Sequence, residues 1–130
     1  MLLDTAGLLC LFDADEPFHA LAHTRYAASP TRLTHGYVIA EFLPLTHARR
    51  LPRGRALAFL TDLLTADDIE IVWVDRDLNR RAMDLLLDRM DKTYSLCDAI
   101  SFVLMRDRGT TDGLTTDRHF EQEGFTRLLK

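Results

Sequence analysis

Cysteine is scarce in this chain: Cys10 and Cys97 are the only two among 130 residues, and both lie in apolar stretches, LLCLF and SLCDAI. Two thiols are too few for the disulfide framework of a small secreted protein, so both are expected as reduced core residues. The opening MLLDT lacks the basic segment and long apolar stretch of a secretory signal, and no apolar run approaches the length of a membrane span. The expectation is a cytoplasmic protein with no membrane association. Repeats, low-complexity tracts and Pro/Gly/Ser linkers are absent as well, which leaves residues 1–130 as one expected domain.

Several motifs are also missing. The chain contains no GxxxxGK[ST], no GxGxxG and no GxSxG, so phosphate-loop, dinucleotide and serine-hydrolase readings have no support. Its five histidines show no ligand spacing with the cysteines, and His19 and His23 stand outside any HExxH pattern, which argues against zinc. A phosphatase with an aspartyl nucleophile would need a second acid two residues after Asp4, where Ala6 stands. An excess of positive charge is lacking too: 16 Lys and Arg face 20 Asp and Glu, a net charge of -4. Such a balance is awkward for a nucleic-acid binder. The objection weakens if acids gather in one metal-holding pocket with arginines around it.

What is present is globular. Hydrophobic residues make up 47% of the chain and charged residues 28%, enough for a packed core. Met1 to Leu3 reads as a short strand ending at Asp4, followed by a helix through Leu8, Leu9 and Phe12. A second helix covers Phe18 to Tyr26 and ends before Ser29-Pro30, with a short strand near Arg32 and Leu33. Thr34 is expected to cap a helix through Glu41 towards Arg50, which Pro44 should bend or interrupt. Helices at Arg53 to Leu64, Asp77 to Met90 and Ser95 to Met105 alternate with strands at Ile69 to Val74, Gly113 to Thr115 and Thr126 to Leu129. This alternation predicts an α/β fold with a mostly parallel sheet covered on both faces, and a site at the carboxyl ends of the strands.

Four acids stand out. Asp98 lies in LCDAISFVL and Glu41 in VIAEFL, each a lone charge in an apolar run. A buried unpaired carboxylate costs several kcal/mol unless it is protonated, paired or bound to metal. Asp98 also fits a capping box with Ser95, and Glu41, which has no basic residue three or four positions away, also reads as a solvent-facing side chain. Asp4 and Asp117 each follow a predicted strand, and each also fits a helix N-cap. Taken together, two strand-ending acids and two acids in apolar helices can converge on one crevice. Hard divalent cations suit an all-carboxylate site, and two of them could activate a water against a phosphodiester.

These segments, MLLDTAGLLCLFD, VIAEF, SLCDAISFVLM and GLTTDRHF, resemble the PIN domain over nearly the whole chain, and within that group VapC-type toxins. The resemblance implies a three-layer α/β/α sandwich and a Mg2+-dependent endoribonuclease, with Mn2+ able to substitute. It assigns the metal to Asp4, Glu41, Asp98 and Asp117, with Thr5 and Thr116 as supporting polar residues. It also implies an RNA substrate, a homodimer and a cognate antitoxin. The alternative is a catalytically inactive PIN-like module that binds RNA or protein. Arg49, Arg50, Arg53, Arg55, Arg80 and Arg81 are candidates for RNA phosphate contacts or simply a solvated surface. The face formed by Ala56, Leu57, Leu60 and Leu64 reads as core before antitoxin groove, and His119 as structural before phosphate-binding.

Overall fold

The computed structural model describes residues 1–130. Five short strands, β1 (Leu2–Leu3), β2 (Leu33–His35), β3 (Glu70–Val72), β4 (Asp112–Leu114) and β5 (Thr126–Arg127), form one sheet in the order β3-β2-β1-β4-β5. Every pairing is parallel, so the expected mostly parallel sheet is wholly so. Parallel neighbours require crossovers, and helices supply them: α1 (Thr5–Phe12), α2 (His19–Ala28), α3 (Gly36–Ala48), α4 (Arg53–Thr65), α5 (Arg76–Leu87), α6 (Leu96–Arg108) and α7 (Arg118–Gln122).

Side chains along a strand alternate between faces, and β1 shows the consequence in two residues. Leu3 packs with Leu8, Val38, Phe42 and Leu60 from α1, α3 and α4, whereas Leu2 packs with Leu78, Ile100, Phe102 and Phe120 from α5, α6 and α7. Those two cores on opposite faces of one sheet make the three-layer α/β/α sandwich. Helix α6 is buried without interruption from Cys97 to Met105, which is why its sequence is apolar almost all round. Cys97 belongs to the first core and Ile100 to the second, so the first turn of α6 lies where the two layers meet. Cys10 and Cys97 are both buried free thiols.

Two local expectations are corrected. Thr34 does not cap α3; it belongs to β2, its hydroxyl donates to the Leu3 carbonyl at 2.9 Å, and His35 occupies the cap position. Long-range pairing with β3 and the hydroxyl bond to β1 override the local capping preference there. Pro44 does not interrupt α3, which runs unbroken from Gly36 to Ala48. A proline inside a helix removes one backbone donor, and the helix tolerates that loss here with Ala40 and Pro44 both facing an open cleft. The α4 face divides: Ala56, Leu60 and Leu63 are buried, while Leu57 and Leu64 are exposed.

Candidate active site

The strand order reverses direction at β1: the chain fills β2 and β3 on one side of it, then β4 and β5 on the other. In open parallel sheets ligands bind outside the carboxyl ends of the strands at such a switch point. A cleft of about 640 Å³ opens at that place. Asp4 follows β1, Asp117 lies just beyond β4, Glu41 comes from α3, and Asp98 from the first turn of α6; all four line the cleft. Neither lysine nor arginine lines it.

Each acid is fixed through one oxygen. Thr115 donates to Asp4 Oδ2 at 2.7 Å, and Thr5 donates to Glu41 Oε2 at 3.1 Å. The Ser95 backbone N–H donates to Asp98 Oδ2 at 3.0 Å, completing the capping box that starts α6. The His119 backbone N–H donates to Asp117 Oδ1 at 2.9 Å, which caps α7. An ionised carboxylate offers about four lone-pair sites, so every one of these acids keeps acceptor capacity for a ligand. Capping and facing the cleft are thus simultaneous for Asp98 and Asp117. Asp4 differs, because it occupies the N-cap position of α1 yet its side chain makes no capping bond.

Burial grades across the cleft. Asp4 and Asp98 are buried at its floor, Asp117 is half-buried, and Glu41 is exposed at its edge. Burial pushes the Asp4 carboxyl up to about 7; the Thr115 hydrogen bond pulls it down, and the neighbouring charges of Asp98 and Asp117 push it up further. Burial also raises the Cys97 thiol, with Glu41, Asp4 and Asp98 adding to the effect, so Cys97 stays protonated beneath the acids.

The supporting threonines are placed unequally. Thr5 touches Glu41, but Thr116 does not line the cleft, and its backbone carbonyl accepts from Arg127 at 3.1 Å. The threonine on the acids is Thr115, which is fully buried. Strand alternation is the reason: Thr115 shares a face with Gly113, whose Cβ position lies 3.3 Å from Thr115 Cγ2, and the next residue turns away.

His119, read from sequence as structural first, lies inside the cleft. Its Nδ1 is 3.0 Å from Asp98 Oδ2 and 3.4 Å from Asp117 Oδ1. Thr93 also lines the cleft, 26 residues from His119 in sequence, with Oγ1 3.2 Å from His119 Nε2. No local pattern announces that pairing. The candidate phosphate-binding arginines lie outside the lining. Arg49 pairs with Glu16 at 2.8 Å, Arg80 with Asp77 at 2.8 Å and Arg81 with Asp107 at 2.7 Å.

A carboxylate donor set with no cation of its own is chemistry that fits a hard divalent ion. The sequence model of the PIN domain matches residues 1–125. The 23S rRNA-specific endonuclease VapC20 of Mycobacterium tuberculosis is 28% identical over 127 residues, which are 97% of this chain and 95% of that protein, in strains CDC 1551 and H37Rv alike. The crystal structure of the same mycobacterial protein, described as a sarcin-ricin loop cleaving toxin, superposes with a TM-score of 0.87 at 26% identity, covering 96% of this chain and 95% of that one.

Proposed function

The chain belongs to the PIN-domain family, and from that membership we propose that it is a metal-dependent endoribonuclease, the toxin of a toxin-antitoxin pair. Asp4, Glu41, Asp98 and Asp117 hold Mg2+, or Mn2+ in its place. The observation that carries this reading is the convergence of four carboxylates from β1, α3, α6 and the end of β4 on one cleft whose lining has no lysine or arginine.

The divalent ion supplies Lewis acidity, making water a better nucleophile and offsetting the negative charge that builds on the phosphodiester. The chain's own residues prepare for it. Thr115, Thr5, Ser95 and the start of α7 hold one oxygen of each acid, so the donor set is oriented before substrate arrives. Burial disfavours the bare charge on Asp4 and raises its proton affinity, so a bound cation would offset that cost in competition with a proton. RNA enters from the open side, where Glu41 and Asp117 are accessible.

Because the mycobacterial relative acts on 23S rRNA, a ribosomal RNA loop is the first substrate to test. The reading also takes residues 1–130 as one domain, acting in the cytoplasm as a homodimer until an antitoxin binds. An apolar cleft of about 320 Å³ lined by Leu8, Leu11, Tyr26, Phe59 and Leu63 offers the antitoxin a groove for an apolar helix face.

The experiment is cleavage of total RNA and of isolated ribosomal RNA by purified protein with Mg2+, Mn2+ or EDTA. Wild type is compared with Asp98→Asn, and folding is checked by circular dichroism. Discrete metal-dependent products that disappear in the folded variant are expected. Undiminished cleavage by Asp98→Asn, or none by the folded wild type on either RNA, overturns the reading.

A further inference from the structure

We propose that His119 sets the metal preference of this site: its Nδ1, together with one oxygen each from Asp98 and Asp117, forms a mixed nitrogen and oxygen face that takes Mn2+ in preference to Mg2+. The inference rests on the acidic metal site proposed above and adds to it a donor of a different chemical kind.

The ligand atoms of Asp98, Asp117 and His119 all lie within 4.8 Å of one another. His119 Nδ1 stands 3.0 Å from Asp98 Oδ2 and 3.4 Å from Asp117 Oδ1. An octahedral ion with bonds of about 2.1 Å places neighbouring donor atoms roughly 3.0 Å apart, so the His119–Asp98 distance is that of adjacent corners around one cation, and the His119–Asp117 distance is longer than that spacing. Hydrogen bonding alone would produce similar distances, so the surroundings of the ring must decide.

Those surroundings hold the ring in this orientation from three sides. The backbone N–H of His119 is bonded to Asp117, so the cap that begins α7 also delivers the imidazole to the acids. Its neighbour Phe120 is fully buried, which anchors the helix, and Tyr94 meets the imidazole edge to face at 5.2 Å between centroids. Behind the ring, Thr93 Oγ1 lies 3.2 Å from Nε2.

A histidine that ligates metal through one nitrogen needs an acceptor for the N–H on the other. The Thr93 hydroxyl provides it, since a hydroxyl both donates and accepts. A neutral ring that donates Nδ1–H to Asp98 accepts from Thr93 at Nε2. When Nδ1 ligates, the proton sits on Nε2 and is donated to Thr93. The exchange is a change of tautomer plus a rotation of the Thr93 hydroxyl hydrogen, and it needs no heavy atom to move.

Donor chemistry then separates the ions. Mg2+ favours carboxylate, carbonyl and water oxygens, and gains little from imidazole; Mn2+ binds the same oxygens, and later first-row metals bind nitrogen more tightly still. Four acids alone would make a site suited to Mg2+. One imidazole at an adjacent corner shifts the balance towards Mn2+.

The test is electron spin-echo envelope modulation on tag-free, full-length protein loaded with Mn2+, with calorimetric titration of Mn2+ and Mg2+ alongside. Wild type should show nitrogen coupling of the imidazole type, shifted by selective 15N-histidine labelling and lost in His119→Ala. In that variant Mn2+ affinity should fall roughly tenfold or more, with Mg2+ affinity unchanged. If Mn2+ binds wild type without nitrogen coupling, and Asp98→Asn still abolishes binding, the role given to His119 is wrong while the acidic site stands. If wild type binds neither ion, both fall. The measurement on wild type decides the matter even if His119→Ala folds poorly.

Discussion

Thr115 Oγ1 donates to Asp4 Oδ2 at 2.7 Å and accepts from the backbone N–H of Asp117 at 3.0 Å, so one hydroxyl ties the end of β1 to the end of β4 and joins two of the four acids. A hydroxyl is required for both roles, because one oxygen must donate on one side and accept on the other.

Thr115→Val keeps the shape of the side chain and removes both bonds. It leaves a buried carboxylate and a partly buried N–H without partners, a loss of about 1–3 kcal/mol. Urea unfolding should show that loss together with strongly reduced RNA cleavage. Thr116→Val, one residue further on and outside the cleft, should change stability by no more than about 0.5 kcal/mol and leave cleavage near wild type. Equal effects from the two substitutions would contradict the assignment of Thr115 to the site.

Protons and metal compete for Asp4. With its carboxyl raised to about 7, Asp4 is largely protonated at pH 6 and largely ionised at pH 8. Ligation requires the ionised form, so Mn2+ affinity should be about tenfold weaker at pH 6 than at pH 8 from this group alone. Calorimetry at the two pH values in Asp4→Asn should lose that difference along with most of the affinity. A wild-type affinity that does not vary with pH would show that the Asp4 proton is not displaced.

Helix α1 lies so close to β4 that only glycine fits between them. A Cβ on Gly7 would stand 1.9 Å from the Leu114 carbonyl oxygen, backbone against backbone, with no side-chain rotation to relieve it. Gly7→Ala must therefore push α1 off the sheet, and α1 begins at Thr5, next to Asp4. Thermal unfolding should report a loss of about 3 kcal/mol or more, with cleavage lost in parallel. Gly54, in the first turn of α4, has open space around its Cβ position. There Gly54→Ala should gain about 0.5–1 kcal/mol by restricting the unfolded chain.

The acids stand out in the sequence because charge is costly in apolar surroundings: Asp98 and Glu41 each interrupt an apolar run, and Asp4 and Asp117 follow strands, although Asp98 reads equally as a cap and Glu41 as a solvent-facing side chain. Strand and helix alternation likewise conveyed the layered parallel architecture. What remained hidden depended on single-residue register or on distant partners. The pair Thr115-Thr116 reads the same locally, yet a shift of one position along a strand turns the side chain to the other face. Thr34 reads locally as a cap, but its place in β2 is set by pairing with Ile71 of β3 and by its hydroxyl bond to Leu3 of β1, not by its sequence neighbours. His119 meets Thr93 and Asp98 only after the chain has folded, and no spacing rule connects them.

His35 gives the fold a pH dependence that can be isolated. It ends β2 fully buried, with Nε2 2.8 Å from Ser101 Oγ and Nδ1 without a partner. Burial lowers its imidazole to about 4, against an ordinary value of 6.5. Above pH 6.5 the ring is neutral in folded and unfolded chains alike, and its contribution is fully present. As pH falls from 6.5 towards 4, the unfolded chain takes up a proton that the folded one refuses, and up to roughly 3 kcal/mol of stability is lost. Asp4 acts in the opposite sense in the metal-free protein, because its raised carboxyl favours folding at low pH and costs stability as pH climbs through about 7. The measurement is therefore a difference: urea unfolding of metal-free wild type and His35→Gln at pH 7.5 and 4.5. Asp4 contributes equally to both proteins and cancels. The variant should lose less stability than wild type on going to pH 4.5, and equal losses would mean that His35 takes up its proton in the folded chain as readily as in the unfolded one.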